Sequence, residues 1–179
     1  VYGQQKMIGQ FNCTGDWAFY IEGDEVYHEN DLEKITKSME LHLNDKNVEA
    51  LVFDFKHFYG NAVSILNSPG WYRSEARIIK NSVRSYAPDG LFWLVLESNK
   101  NGRYPKAKHT GVTCYHYGWV RSEAQMRLKS TKVQKYWGGE PVKINYSQMD
   151  QAIIQEFRGT HPEIVKNWLP KEDKVFIAS

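Results

Sequence analysis

The sequence predicts an α/β fold built on a mixed sheet flanked by helices, and three observations carry that expectation. Two runs rich in aromatic and β-branched residues, Trp17 to Ile21 and Ala50 to Tyr59, read as buried strands. Between them, Leu32, Ile35, Met39 and Leu43 recur at spacings of three and four, the period of a helix with one buried face. The order along the chain is helix, strand, helix, strand, further strands and then helices, which suits helices layered on a sheet.

The elements follow in order. Residues 3–13 predict a short helix, with Gly15 as the stop signal and Cys13 on its apolar side. The strand at Trp17 ends in Glu22-Gly23-Asp24-Glu25. Asn30 is placed to cap a helix over 31–43, and a polar turn at 44–47 leads into the second buried strand. Ser68-Pro69-Gly70 marks a loop, and Ala76 to Ile79 and Leu91 to Leu96 read as strands around the turn Ala87-Pro88-Asp89-Gly90. Residues 99–108 predict an exposed polar loop, and Thr110 to Val120 another strand. A helix is expected from Ser122 to Trp137, closed by Gly138-Gly139. Further helices are expected near 147–157 and from His161-Pro162 to Trp168, with the last ten residues peripheral.

Composition narrows the function classes. The chain has 179 residues, enough for one domain with a real core. A net charge of +2 gives no global electrostatic case for nucleic acid or an anionic membrane. No apolar run approaches the roughly eighteen residues a membrane helix needs. The first residues do not read as a signal peptide, and the two cysteines, Cys13 and Cys114, have no metal-ligand spacing. Reduced core thiols in a cytoplasmic protein are the expectation. Aromatics make up 14%, enough both to fill a core and to offer flat faces to sugars; Trp71, Tyr72 and Trp119 are the candidates for the latter.

The acidic cluster is the most informative feature. A buried strand ending in Glu22 and Asp24 puts two carboxylates at the carboxyl edge of a sheet, where α/β folds hold ligands. Gly23 between them lets backbone approach a ligand closely. Magnesium or manganese prefers such oxygen donors, keeps positions for substrate phosphates, and stabilises a diphosphate leaving group. A solvated turn is the plain alternative for these acids.

Residues 15–26, Gly15-Asp16-Trp17-Ala18-Phe19-Tyr20-Ile21-Glu22-Gly23-Asp24-Glu25-Val26, resemble the strand-plus-DxD segment of glycosyltransferase family 2. Cys114-Tyr115-His116-Tyr117-Gly118-Trp119-Val120-Arg121, with Met126 and Lys129, is similar to a segment of a bacterial branch of that family. Phe58-Tyr59-Gly60, Trp71-Tyr72-Arg73 and Arg77 resemble the same branch. The resemblance covers roughly residues 10 to 137.

The resemblance implies a GT-A-like (Rossmann-like) mixed sheet in residues 1–139, with 140–179 as a C-terminal helical extension. It departs from the family in having Glu22 where the motif has Asp. The N-terminal nucleotide-binding strands of the family are not visible, which places about a third of such a domain upstream of Val1. The implied activity is inverting transfer of a sugar from a nucleotide-sugar donor to a hydroxyl of a carbohydrate acceptor. A divalent metal, manganese or magnesium, would be held by Asp24, Glu22 and His116. Neutral imidazole is a good ligand for manganese; a strand histidine hydrogen-bonded in the core is the alternative for His116. Arg121 and Lys129 suit the diphosphate, or equally solvent. For the base that activates the acceptor, Asp89 comes first and Asp54 second. Two other functions stay open: a non-catalytic sugar- or partner-binding domain on a degenerate transferase scaffold, and a metal-assisted hydrolase using the same acids.

Overall fold

The computed structural model of this chain describes residues 2–98, 101–138, 140 and 144–169. In chain order its elements are α1 (Tyr2–Phe11), β1 (Trp17–Phe19), β2 (Glu25–Tyr27), α2 (Leu32–His42), β3 (Ala50–Tyr59), β4 (Ser64–Leu66), β5 (Ser74–Lys80), β6 (Ser85–Tyr86), β7 (Leu94–Leu96), β8 (Gly102–Arg103), β9 (Ala107–Trp119), α3 (Glu123–Trp137) and β10 (Ile154–Glu156). Short 3-10 turns lie at Glu29–Asp31, Tyr146–Gln148, Gln151–Ile153 and Glu163–Val165. The class is mixed α/β, as the alternation of patterns predicts. The chain forms two compact units from interleaved segments: residues 1–23, 30–54 and 73–113 in the first, and 24–29, 55–72 and 114–179 in the second. No helix among the described residues is long and apolar enough to cross a membrane.

In the first unit β5 runs antiparallel to both β1 and β3, with Ala18 and Ala50 both opposite Ile79 and a bulge between Leu51 and Val52. β9 also pairs with β3. The Ala50 N–H donates to the Lys106 carbonyl at 3.2 Å, and Thr110 Oγ1 donates to the Val52 carbonyl at 3.0 Å. Residue numbers therefore rise together along these two strands, and the sheet is mixed. A small antiparallel sheet, β6-β7-β8, completes the unit. Ala18, Ala50, Ala76, Ile79, Ala87 and Trp93 form its core.

The core also surrounds charge. Lys6, 2% exposed, sits over the Trp93 and Tyr20 rings at 4.0 and 4.3 Å, a cation–π arrangement that partly replaces lost hydration. A more exposed anchor lies at Glu49, whose carboxylate takes a two-pronged hydrogen bond from Arg103, Nη1 to Oε2 and Nη2 to Oε1, each at 2.7 Å. The Arg103 hydrogen bond, against the opposing effect of burial, holds the Glu49 carboxyl below the usual carboxylate range. A depressed carboxyl stabilises the fold above its unfolded pKa and stops doing so as pH falls through its folded value. Because Arg103 is 34% exposed, Glu49→Gln is expected to cost about 1 kcal/mol at neutral pH. Thermal melts should show that cost shrinking as the pH falls below the ordinary glutamate value of about 4.3.

In the second unit β2 runs antiparallel to the end of β9, with Glu25 opposite His116 and Tyr27 opposite Cys114. β4 pairs with β3 through Ile65 and Phe58, and β10 pairs with β4. Phe58 stacks on Tyr117 at 4.7 Å between ring centroids, in a core shared with Tyr115, Phe157 and Val165. α3 begins at a capping box, in which the Gln125 N–H donates to Ser122 Oγ and the Ser122 N–H to Gln125 Oε1. Gly138, at φ 74°, follows its last residue.

Several expectations are corrected. β1 is an edge strand of three residues in which only Ala18 is buried, and Ile21 is 50% exposed, so this is not a fully buried strand. The cap residue of α2 is Asp31 rather than Asn30, and of the α2 residues only Ile35 is buried; Leu32 is exposed. The strand expected from Leu91 begins only at Leu94. Within 99–108, Gly102 and Arg103 pair with β7 and β9 has begun by Ala107, so tertiary pairing overrides a polar composition. The helix expected at 147–157 is replaced by 3-10 turns and β10. There Asp150 Oδ1 accepts the Ala152 N–H at 2.9 Å, a local side-chain bond that competes with helix propagation. The helix expected from His161 is a 3-10 turn. Cys114 is buried as expected, but Cys13 is exposed. Gly139 and residues 170–179 lie outside the described residues.

Candidate functional site

The second unit gathers chemistry where β2 meets β9. The Tyr117 N–H donates to the Asp24 carbonyl at 2.8 Å, which extends the β2–β9 register by one residue and brings the Asp24 side chain beside His116. Asp24 Oδ1 lies 3.7 Å from His116 Nε2, and Lys129 Nζ, from the second turn of α3, lies 3.3 Å from Asp24 Oδ2. Lys129 also donates to the Gly118 carbonyl at 3.1 Å. All three side chains are partly sheltered, with exposures of 24% for Asp24, 12% for His116 and 35% for Lys129. At such depth charges interact more strongly than on an open surface, yet the group can still meet a ligand.

The close approach depends on Gly118. A Cβ at that position would stand 2.6 Å from both Asp24 Oδ2 and His116 Nε2. A glycine inside a strand marks a place where other groups come close, and here the groups are the two side chains of the site.

His57, which the sequence reading did not single out, completes the arrangement. It is 3% exposed on β3, and its Nδ1 lies 2.9 Å from His116 Nδ1 while its Nε2 lies 2.8 Å from the Tyr72 carbonyl oxygen. Trp71 and Tyr72 meet its ring edge-on at 4.9 and 4.7 Å. The signal was there to read: residues 51, 53, 55, 57 and 59 alternate inward along β3, and His57 is the polar member of that inward row.

Next to this group is a cleft of about 440 Å³ walled by Tyr59, Trp71 and Trp119, with Ile144, Asn145 and Gln148 also lining it. Trp119 stacks on Tyr59 at 5.4 Å and meets Trp71 edge-on at 5.2 Å. Flat apolar faces beside amide groups suit a pyranose, which has apolar faces and a rim of hydroxyls.

The remaining sequence candidates meet other neighbours. Glu22 belongs to the first unit, where Oε1 is 3.8 Å from Nη2 of the buried Arg77. Asp89, also in the first unit, accepts the Leu91 N–H at 2.8 Å, closing a turn. Asp54 is exposed on β3, with Oδ1 3.3 Å from His109 Nε2. The Arg121 side chain is exposed, and its carbonyl accepts from Tyr146 Oη at 2.8 Å. The structure thus brings Asp24, His116 and Lys129 together within one unit.

The donor set bears on a metal. Among the described residues no group of three or more acidic, His or Cys side chains is placed to hold a cation. Asp24 and His116 offer one oxygen and one nitrogen facing each other. That fits the partial protein shell of a magnesium or manganese ion that takes most of its ligands from phosphate and water. No protein-family model matches this sequence, and no curated protein matches it either.

Proposed function

We propose that this chain carries the diphosphate-handling site of a metal-assisted glycosyltransferase that uses a nucleotide-sugar donor and a carbohydrate acceptor. The observation that supports this reading is the meeting of Asp24, His116 and Lys129 in one unit, from segments far apart in sequence. The aromatic cleft beside them supplies the kind of surface a sugar needs.

Asp24 and His116 are the residues that would hold the cation. The metal, when bound, neutralises charge on the departing diphosphate. Lys129 adds a mobile positive charge at the same carboxylate, and exposed Arg121 offers a planar fork for phosphate oxygens.

Isothermal titration tests the reading. Binding of UDP or GDP is expected to depend on manganese, and Asp24→Ala is expected to remove that dependence. Nucleotide binding that is equal with and without metal, in both proteins, would remove Asp24 from the proposal. A second reading is favoured by one observation: Lys129 already gives Asp24 a cationic partner. A non-catalytic sugar-binding domain needs no metal there, and it predicts no manganese-linked thermal shift and no turnover of any nucleotide sugar.

A further inference from the structure

We propose that the aromatic cleft of the second unit binds an N-acetylhexosamine, its acetamido methyl on an aliphatic wall and its acetamido carbonyl accepting from the Tyr59 hydroxyl. The inference deepens the transferase reading and rests on it only for the sugar's role as acceptor; the binding itself rests on the cleft.

Tyr59, Trp71, Trp119 and the aliphatic residues of the cleft all belong to one unit. The aromatic corner is held by the contacts of Trp119 with Tyr59 and Trp71. The aliphatic wall is formed by Leu66, Ile144, Met149 and Ile153, which pack with Tyr59, Met126 and Tyr146 in one hydrophobic core. Polar side chains are few. Asn145 Oδ1 accepts the Ser147 N–H at 3.1 Å and the Ser147 hydroxyl at 2.7 Å, which leaves the Asn145 amide N–H groups for a ligand.

Tyr59 is the group that points to an occupant. It ends β3 and is 6% exposed. Its hydroxyl has no hydrogen-bond partner among the described residues, yet the oxygen is still reachable. Burial, and after it the Glu123 carboxylate, push the phenol up, so the hydroxyl keeps its proton at neutral pH and can donate. A largely buried hydroxyl without a partner is costly, and a ligand acceptor that reaches it recovers the loss.

The two features together select among sugars. A plain hexose carries hydroxyls all round its rim, and one turned to the aliphatic wall loses water and gains no partner. An acetamido group in place of one hydroxyl answers both demands. Its methyl suits the aliphatic side chains, and its carbonyl accepts from Tyr59. The amides of Asn145 and Gln148 remain for the other hydroxyls.

The test is made without metal or nucleotide. The full chain is titrated with the methyl glycosides of N-acetylglucosamine and N-acetylgalactosamine, and with those of glucose and galactose. At least one acetamido sugar is expected to bind about tenfold or more tightly than its plain counterpart. In saturation-transfer NMR its acetyl methyl should receive the strongest signal. Tyr59→Phe keeps the ring packing and should weaken acetamido binding about threefold to tenfold. Ile153→Thr changes a half-buried position and should narrow the preference while leaving plain hexose affinity as it was. Melting temperatures near wild type in both variants separate these losses from unfolding. Equal affinity for the two kinds of sugar, or binding of neither, overturns the proposal, as does a Tyr59→Phe protein that binds like wild type. Acetamido binding without manganese-coupled nucleotide binding would instead sink the transferase reading and leave the cleft assignment standing.

Discussion

Arg77→Met is expected to destabilise the protein by about 2 kcal/mol, the cost of removing a buried guanidinium that donates to a carbonyl and faces a partly exposed carboxylate. Arg77 lies on β5 in the first unit and is 1% exposed. Nη1 donates to the Leu91 carbonyl at 3.2 Å, and Nη2 lies 3.8 Å from Glu22 Oε1. Methionine fills much of the same volume, so the loss is electrostatic rather than a cavity. It falls on a region already strained by charge: burial pushes the Glu75 carboxyl up, Asp89 adds to that, and Arg77 and Lys6 work against it. Removing Arg77 takes away one of those counterweights and raises Glu75 further.

The pH dependence of the variant has a definite sign. A carboxyl whose folded pKa exceeds its unfolded value binds its proton more tightly in the native state, so it lowers stability at high pH and is relieved as pH falls through the folded pKa. The penalty in Arg77→Met should therefore be largest at neutral pH and shrink on acidification toward the ordinary carboxylate range. Denaturant midpoints measured from pH 7 down to pH 5 check this. A difference from wild type that is flat or grows on acidification would show that Glu75 is not coupled to Arg77.

These two residues also illustrate what the sequence made legible. β3 was readable to its end residues because apolar and aromatic residues dominate the run, with Asp54 and Lys56 on positions that are not buried. α3 was readable because its end signals are local: a serine cap and a glycine stop. The region 147–157 was not, since its helical composition competes with Asp150, which ties up the backbone through its own side chain, and with an open edge of β4 that only tertiary structure reveals. The same division runs through the site. Asp24 could be picked out because carboxylates after a strand are chemically conspicuous, whereas His116 was placed with it through the family resemblance. Lys129 was placed with them only through the family resemblance. Glu22 looked equivalent to Asp24 at one residue's remove, but its carboxylate lies near Arg77, a residue fifty-odd positions away whose burial no local pattern announces. His57 was hidden because an inward-facing strand histidine looks like any core residue until its two ring nitrogens are assigned partners.

Gly118→Ala tests the site at the point where the smallest chemical change has the largest leverage. The added methyl would sit 2.6 Å from both Asp24 Oδ2 and His116 Nε2, a distance neither atom can tolerate. The His116 ring is tied to His57 through a 2.9 Å bond, and His57 is itself packed on several sides, so His116 has little room to retreat. Asp24 is the freer of the two; its carboxylate must turn away, and in turning it leaves Lys129 Nζ and the line to Nε2. Because the displaced atoms are side-chain ends rather than backbone, the fold should survive, with a stability loss of about 1 kcal/mol. The consequence for ligand binding should be far larger: manganese-dependent nucleotide affinity reduced about tenfold to a hundredfold, the scale of disturbing a metal ligand's orientation. A thermal melt near wild type together with a collapsed titration is the expected signature. Retained metal-coupled binding in Gly118→Ala would mean that Asp24 and His116 do not act as one site, since the geometry that joins them has no space for a methyl group.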